Sequence, residues 1–235
     1  MTPEQSAMST SFDEVSADYD VALAHGLSVT GEDKEYFARR RIAWLAKCLG
    51  ELQEAPQQIM DFGCGTGSAI RWVLNLLSPK NIVGLDVSSR SLEIASRTYG
   101  SEQIQFILLG QFRPQAQMDL VFCNGVFHHI PLEKRVTNVN WMYRSLRPGG
   151  LLAFWENNPW NPGTRYVMSR IPFDRDAITL TPSEARRMLQ ASGFKILRTD
   201  FLFIFPRVLS GFRGLEPFLS RLPLGGQYQI LCRKP

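Results

Sequence analysis

Histidine and cysteine are scarce in this chain, and long hydrophobic runs are missing. Its 235 residues hold 3 His and 4 Cys. Cys48, Cys64, Cys123 and Cys232 are widely scattered, with no CxxC pair and no metal-ligand spacing. They read as reduced thiols of a cytoplasmic protein, and no metal is expected. No apolar stretch approaches the roughly 18 residues a spanning helix needs, which argues against an integral membrane protein. Residues 1–20 contain Glu4, Asp13, Glu14, Asp18 and Asp20 and no Lys or Arg. A secretory leader needs a basic start followed by an apolar stretch, and this arm has neither. Internal repeats and low-complexity tracts are absent. With no basic run or recognition module, nucleic acid is not an expected partner.

What is present suits one α/β domain. The composition is 44% hydrophobic and 20% charged, with 15 Phe, enough to bury a core and to exclude global disorder. The net charge of +4 is mild but unevenly placed. Residues 201–235 carry five Lys/Arg against the single Glu216, opposite to the acidic arm.

Short apolar runs alternate with amphipathic helical segments through residues 58–155, the rhythm of a parallel sheet with crossover helices. Strands are expected at 58–62, 81–86, 104–109, 118–123 and 151–155. Helices are expected at 68–77, from Ser88/Ser89 to Gly100, and at 132–146, with a turn at Arg147-Pro148-Gly149-Gly150. Residues 156–180, rich in Asn, Pro and Arg, read as a long ordered loop. Thr181-Pro182-Ser183-Glu184 starts a helix, with Thr181 as cap and Glu184 at the third position. Two further strands are expected at 194–199 and 227–233. Residues 1–50 read as a helical cover of the site, and 51–235 as the domain proper.

The strongest chemical signal is Asp61-Phe62-Gly63-Cys64-Gly65-Thr66-Gly67, where an apolar strand ends in an acid and three alternate glycines lead into a helix. Glycines there permit a tight turn and close approach of backbone to ligand. A dinucleotide fingerprint would need Gly or Ala at position 68, which is Ser. The acid also sits badly against a pyrophosphate but well beside an ammonium. A nucleoside with a cationic amino-acid tail therefore fits better than a diphosphate. Asp86 closes the second strand, where a carboxylate can accept from both ribose hydroxyls.

With Met118-Asp119-Leu120-Val121-Phe122-Cys123 and Arg147-Pro148-Gly149-Gly150, this ordered set resembles the class I S-adenosylmethionine-dependent methyltransferases. The resemblance spans essentially the whole chain. It implies a Rossmann-like α/β fold: a seven-stranded sheet with the last strand antiparallel and helices on both faces. It implies S-adenosyl-L-methionine as methyl donor, with S-adenosyl-L-homocysteine as product. Asp61 and Gly63, with Cys64, Gly65 and Gly67, would hold the methionine moiety; Asp86 and Val87 the ribose side; Asn124 the cofactor wall. Phe12-Asp13 and Ala17-Asp18-Tyr19-Asp20 resemble a segment that lays a tyrosine, here Tyr19, over the cofactor. The family's adenine-binding acid is missing after the third strand. Gln111 and Phe112 stand there instead, either on adenine or as loop packing.

Methyl transfer to oxygen needs alignment and removal of a proton. His128 and His129 follow the fourth strand, and one of them is expected to face the pocket. Glu156, ending the fifth strand, competes as base, its pKa expected to be raised by burial. Asn157, Asn158, Trp160 and Arg165 are the expected substrate contacts, unless their loop is only a rigid cover. This loop and the aromatic, basic tail are similar to a bacterial subgroup associated with glycosyltransferases and cell-surface polysaccharide or lipid synthesis. A His common in that subgroup is replaced here by Asn157. The expected reaction is methyl transfer to oxygen on a small-molecule or lipid-linked acceptor. Quinone-type carbon methylation and non-catalytic cofactor binding are the alternatives. The tail around Arg207, Arg213 and Arg221 is either a membrane-interface surface, giving peripheral contact with the inner membrane face, or core packing with a basic rim.

Overall fold

The computed structural model describes residues 25–172, 174–175 and 177–235. The Tyr19 segment lies outside these. Among the described residues, seven strands form one sheet: β1 Gln58–Phe62, β2 Asn81–Asp86, β3 Ile104–Leu108, β4 Met118–Asn124, β5 Leu146–Asn157, β6 Lys195–Leu202 and β7 Gln227–Arg233. Their order is β3-β2-β1-β4-β5-β7-β6. β7 runs antiparallel to both neighbours, whereas β1 through β5 pair in parallel. The expected fold class is the observed one.

The sheet is buried on both faces because its central strands are almost wholly apolar. Side chains alternate between faces with period two. Met60, Phe62, Val121 and Phe154 join one apolar cluster, and Ile59, Leu120, Phe122 and Trp155 the other. α1 (Lys34–Glu51) and α2 (Ile70–Leu77) cover the second face, where Ile42, Leu45 and Leu49 pack with Ile70 and Val73. α4 (Leu132–Ser145) and α6 (Pro182–Ala191) cover the first, through Val139, Met142, Ala185 and Leu189. α3 (Ser89–Tyr99) links β2 to β3, and its cap Ser88 accepts from Ser91 N.

Three expectations change. The loop expected at 156–180 contains helix α5 (Pro162–Ser169), capped by Asn161, whose side chain accepts from Thr164 N at 3.0 Å. Pro at the first helical turn starts this helix rather than blocking it. The turn at 147–150 is an irregularity inside a longer β5, which already pairs at Leu146 with Met118 before the register shifts. β6 extends to Leu202, so Phe201 and Leu202 of the aromatic stretch are strand residues. Beyond it lie a 3-10 segment, Arg207–Leu215, and the short α7 (Glu216–Leu219).

The capping box at α6 forms as expected. Thr181 accepts from Glu184 N, and the Glu184 carboxylate accepts from Thr181 N at 2.9 Å. Thr181→Ala should therefore lower stability by about 1 kcal/mol, seen as a lower urea midpoint with an unchanged slope.

Candidate active site

The carboxyl ends of β1, β2, β4 and β5 converge on one cavity of about 760 Å³. The glycine turn after β1 forms its floor. Gly63 N and Cys64 N donate to Leu85 O at 2.7 and 2.9 Å, tying the turn to β2. Gly63 has φ +75°, and a Cβ there would meet Val126 Cγ2 at 2.4 Å. Gly65 has φ +52° with open space where a Cβ would point, so it keeps the floor low as well as permitting the turn. Gly67 is off the wall and packs against the Tyr99 ring. Asp86 fastens the turn: Oδ2 accepts from Gly65 N at 2.8 Å and Oδ1 from Ser88 N at 2.9 Å. A carboxylate oxygen accepts more than one bond, so Asp86 keeps capacity for ligand hydroxyls.

Asp61 is buried on the cavity wall. Burial first, then the nearby Asp86 charge, push its carboxyl up to about 7, with Arg41 opposing. Such a site favours a cationic ligand group and disfavours a diphosphate. Asn124 lines the same wall, and its Oδ1 is buried without a hydrogen-bond partner, ready for a ligand donor. The acid, the orphaned carbonyl and the open floor at Gly65 fit S-adenosylmethionine. Cys64 and Val87 also line the cavity. Gln111 and Phe112 do not. Gln111 is exposed, and the Phe112 ring packs 5.6 Å from that of Trp141. Leu109 takes the wall position after β3.

Beyond the β4 end, a 3-10 turn (Phe127–His129) carries the two histidines onto the wall. His128 Nδ1 is 2.7 Å from Glu156 Oε2, and Glu156 Oε1 accepts from Phe127 N at 2.7 Å. Asp174 faces both imidazoles, its Oδ1 3.4 Å from His128 Nε2 and 3.3 Å from His129 Nε2. Burial alone would lower His128, but the Glu156 charge leads a set of carboxylate interactions that raise it. His129 is pushed down to about 4 by burial and then by His128. For Glu156 the expectation of a raised pKa is overturned. Burial acts upward, but the His128 charge and the bonds from His128 and Phe127 N hold the carboxyl below its ordinary value. Glu156 is also absent from the cavity wall, so its influence reaches the cavity through His128.

The substrate-loop residues separate. Asn157 lines the cavity and accepts from Gln227 Nε2 at 3.0 Å. Asn158 is fully buried and structural: its Nδ2 donates to Gly225 O at 2.8 Å and its Oδ1 accepts from Trp160 N. Trp160, just before the α5 cap, and Arg165, on α5, are exposed and off the wall. Sequence reading missed Tyr36, Arg41, Lys134, Tyr166 and Asp174, all on the wall. Asp174 stands in the sequence Pro172-Phe173-Asp174-Arg175, within the stretch read from sequence only as a loop.

A glycine turn after β1, an acid at the β2 end and this strand order define the class I methyltransferase arrangement. A family model described as a methyltransferase domain matches residues 60–152. Trans-aconitate 2-methyltransferase of Methylobacterium nodulans is 28% identical over 206 residues, 76% of each chain. Malonyl-[acyl-carrier protein] O-methyltransferase 2 of Ilyobacter polytropus is 33% identical over 107 residues, 44% of this chain and 40% of that protein. Among solved structures, an S-adenosylmethionine-dependent methyltransferase from Mesorhizobium loti matches with TM-score 0.57 and 19% identity, over 76% of this chain and 91% of that one. The plantazolicin methyltransferase BamL, solved with S-adenosylhomocysteine, matches with TM-score 0.62 and 14% identity, over 95% and 99%. These structures share the fold. Residues 60–152 match a methyltransferase domain, and the chain is an S-adenosylmethionine-dependent methyltransferase.

Asp61 gives the site a pH dependence. Below about 7 the free protein carries Asp61 protonated, and a ligand ammonium must displace that proton. Affinity for S-adenosylhomocysteine should rise with pH by up to about tenfold per unit below pH 7 and level off above it. Asp61→Asn should weaken binding and flatten the profile in calorimetric titrations. An unchanged slope in this variant would assign the dependence to another group.

Proposed function

We propose that this enzyme transfers the methyl group to an oxygen of a small-molecule acceptor, with carboxylic acids the first class to test. The observation that carries this is the ionisable wall of His128, His129 and Asp174 beyond the β4 end. A wall of aromatics alone would have favoured carbon methylation of quinone type, and a non-catalytic binder needs no such cluster. The names of two relatives add support, since trans-aconitate and a malonyl group both present carboxylates.

S-adenosylmethionine, when bound, supplies a methyl already activated on a sulfonium. Asp61, Gly63 and Asn124 would hold its amino-acid end and Asp86 its ribose, with Cys64 and Val87 beside them. The chain's further task is alignment. An acceptor carboxylate carries no proton to remove, so a wall that fixes one oxygen in line with the methyl suffices. His128 is fixed for this by Glu156, while His129 and Asp174 present the more open edge. Asn157 and Tyr166 complete that side of the cavity.

The test is mass spectrometry of products after incubating the purified enzyme and S-adenosylmethionine with dicarboxylates, tricarboxylates, sugars and quinols. Base-labile methyl esters on carboxylic acids are expected. Base-stable carbon methylation alone would overturn the reading. His129→Ala and Asp174→Asn should each lower kcat about 100-fold or more while S-adenosylhomocysteine affinity stays within about twofold.

A lipid-linked acceptor is the second reading, favoured by one surface. Val208 is 87% exposed and Phe218 83%, and Phe212, Leu215, Leu222 and Leu224 are exposed on the same stretch. Arg207 and Arg221 are exposed among them, and neighbouring Phe205, Pro206 and Arg213 line the cavity. Apolar side chains interleaved with arginine at a cavity mouth suit an anionic bilayer surface. Among the described residues no helix is long and apolar enough to cross a membrane, so contact would be peripheral. Flotation with phosphatidylglycerol–phosphatidylcholine vesicles should recover the protein, and Val208→Ser with Phe218→Ser should reduce recovery about tenfold. No recovery at low salt, or none lost in the double variant, would remove this reading.

A further inference from the structure

We propose that His128, His129 and Asp174 form a site for one divalent transition-metal ion of the zinc type, open to the acceptor end of the cavity. Placing the ion against the acceptor rests on the reading of that end given above; its binding does not.

The spacing is the first argument. One ligand atom from each residue lies within 4.8 Å of those of the other two. The two nitrogen-to-oxygen distances are 3.4 and 3.3 Å. Tetrahedral zinc with bonds of about 2.0–2.1 Å has ligand-to-ligand edges of about 3.4 Å. Two imidazoles and a carboxylate are also a donor set that zinc accepts, whereas magnesium and calcium favour all-oxygen sites.

The second argument is an orphaned atom. Asp174 Oδ1 is buried and makes no hydrogen bond, although it lies between two imidazole nitrogens. A buried carboxylate oxygen held only by these long contacts is poorly satisfied, and a cation in the gap removes that cost.

The outer sphere is the third. Metal-bound histidine usually gives its other ring N–H to a carboxylate, which fixes the ring and its free nitrogen. His128 does so through Nδ1 to Glu156 Oε2 at 2.7 Å, and Glu156 is itself held by Phe127 N. The backbone is fixed as well. His129 N donates to Val126 O, Asp174 N to Ile171 O, and Ile178 N to His128 O. These bonds tie the turn carrying the histidines to the segment carrying the aspartate.

All three residues line the cavity, so a fourth coordination position would face it. Once the ion has displaced the His128 proton, two imidazoles and one carboxylate leave it with net positive charge. That ion would fix an anionic acceptor oxygen, which explains an Asp on a wall expected to meet a carboxylate. The competing occupant of the gap is a single proton, held by His128 between Glu156 and Asp174.

The test uses the full-length protein, stripped with a chelator, desalted and titrated with zinc ion against a chromophoric chelator. One equivalent is expected. Asp174→Asn and His129→Ala should each weaken binding about 100-fold or more, and Glu156→Gln about 10- to 100-fold. His25→Ala, which replaces the third histidine, should leave it unchanged. S-adenosylhomocysteine titration of the same variants reports whether they are folded. Asp174→Asn, being isosteric, is the deciding one if His129→Ala is not. Absence of a zinc equivalent in the wild-type protein, or equal zinc binding in folded Asp174→Asn, overturns the proposal. Zinc binding without oxygen methylation would remove the acceptor reading and leave the site standing.

Discussion

A sheet buried on both faces has almost no room for charge except at its ends, and that constraint shapes this molecule. Asp86 and Asn124 are the last residues of β2 and β4, and Asp61 and Glu156 the next to last of β1 and β5. Each is polar directly after an apolar run, because the strand leaves the core there. Parallel β1, β2, β4 and β5 bring these four ends to one edge. The cavity is where they meet.

The buried acids of that edge are managed in opposite ways. Asp61 faces Asp86 and has only the opposing influence of Arg41, so burial wins and the carboxyl rises to about 7. Glu156 is equally buried but bonds to His128 and to a backbone N–H, and is held low. An uncompensated carboxylate suits a cation from a ligand, and on the proposed reading the methyl donor's ammonium would meet that need at Asp61. A compensated carboxylate does structural work, and Glu156 spends its charge on orienting His128. Both are carboxylic acids next to last in their strands; the partner across the edge decides the role.

This explains what the sequence could reveal. The strands, the glycine turn, Asp86 and the capping box at Thr181 were legible because each depends on residues within a few positions of one another. Glu156 was legible as a strand-end acid, but its state depends on His128, 28 residues away. Asp174 and Lys134 reach the wall through long-range packing that no local pattern records. Asn158 misled because Asn suits both a ligand contact and a clamp on backbone carbonyls, and here it holds Gly225 O and Pro223 O. Arg165 lies off the wall because a helix, α5, stands where a loop was expected.

The two ends of the cavity are also mechanically joined. Gly125 N donates to Trp155 O, Val126 packs over Gly63, and Phe127 N donates to Glu156. Three consecutive residues thus connect β5, the cofactor floor and the histidine-holding carboxylate. The donor-side turn is seated against Val126, and the acceptor-side imidazole is set from the next residue but one. A side chain at position 63 would push on Val126 and, through Phe127 and Glu156, on His128. Methyl transfer requires donor and acceptor held at a fixed separation, and a rigid tripeptide spanning both sites is a direct way to maintain it. Gly63 is therefore as much a constraint on the acceptor end as on the donor end.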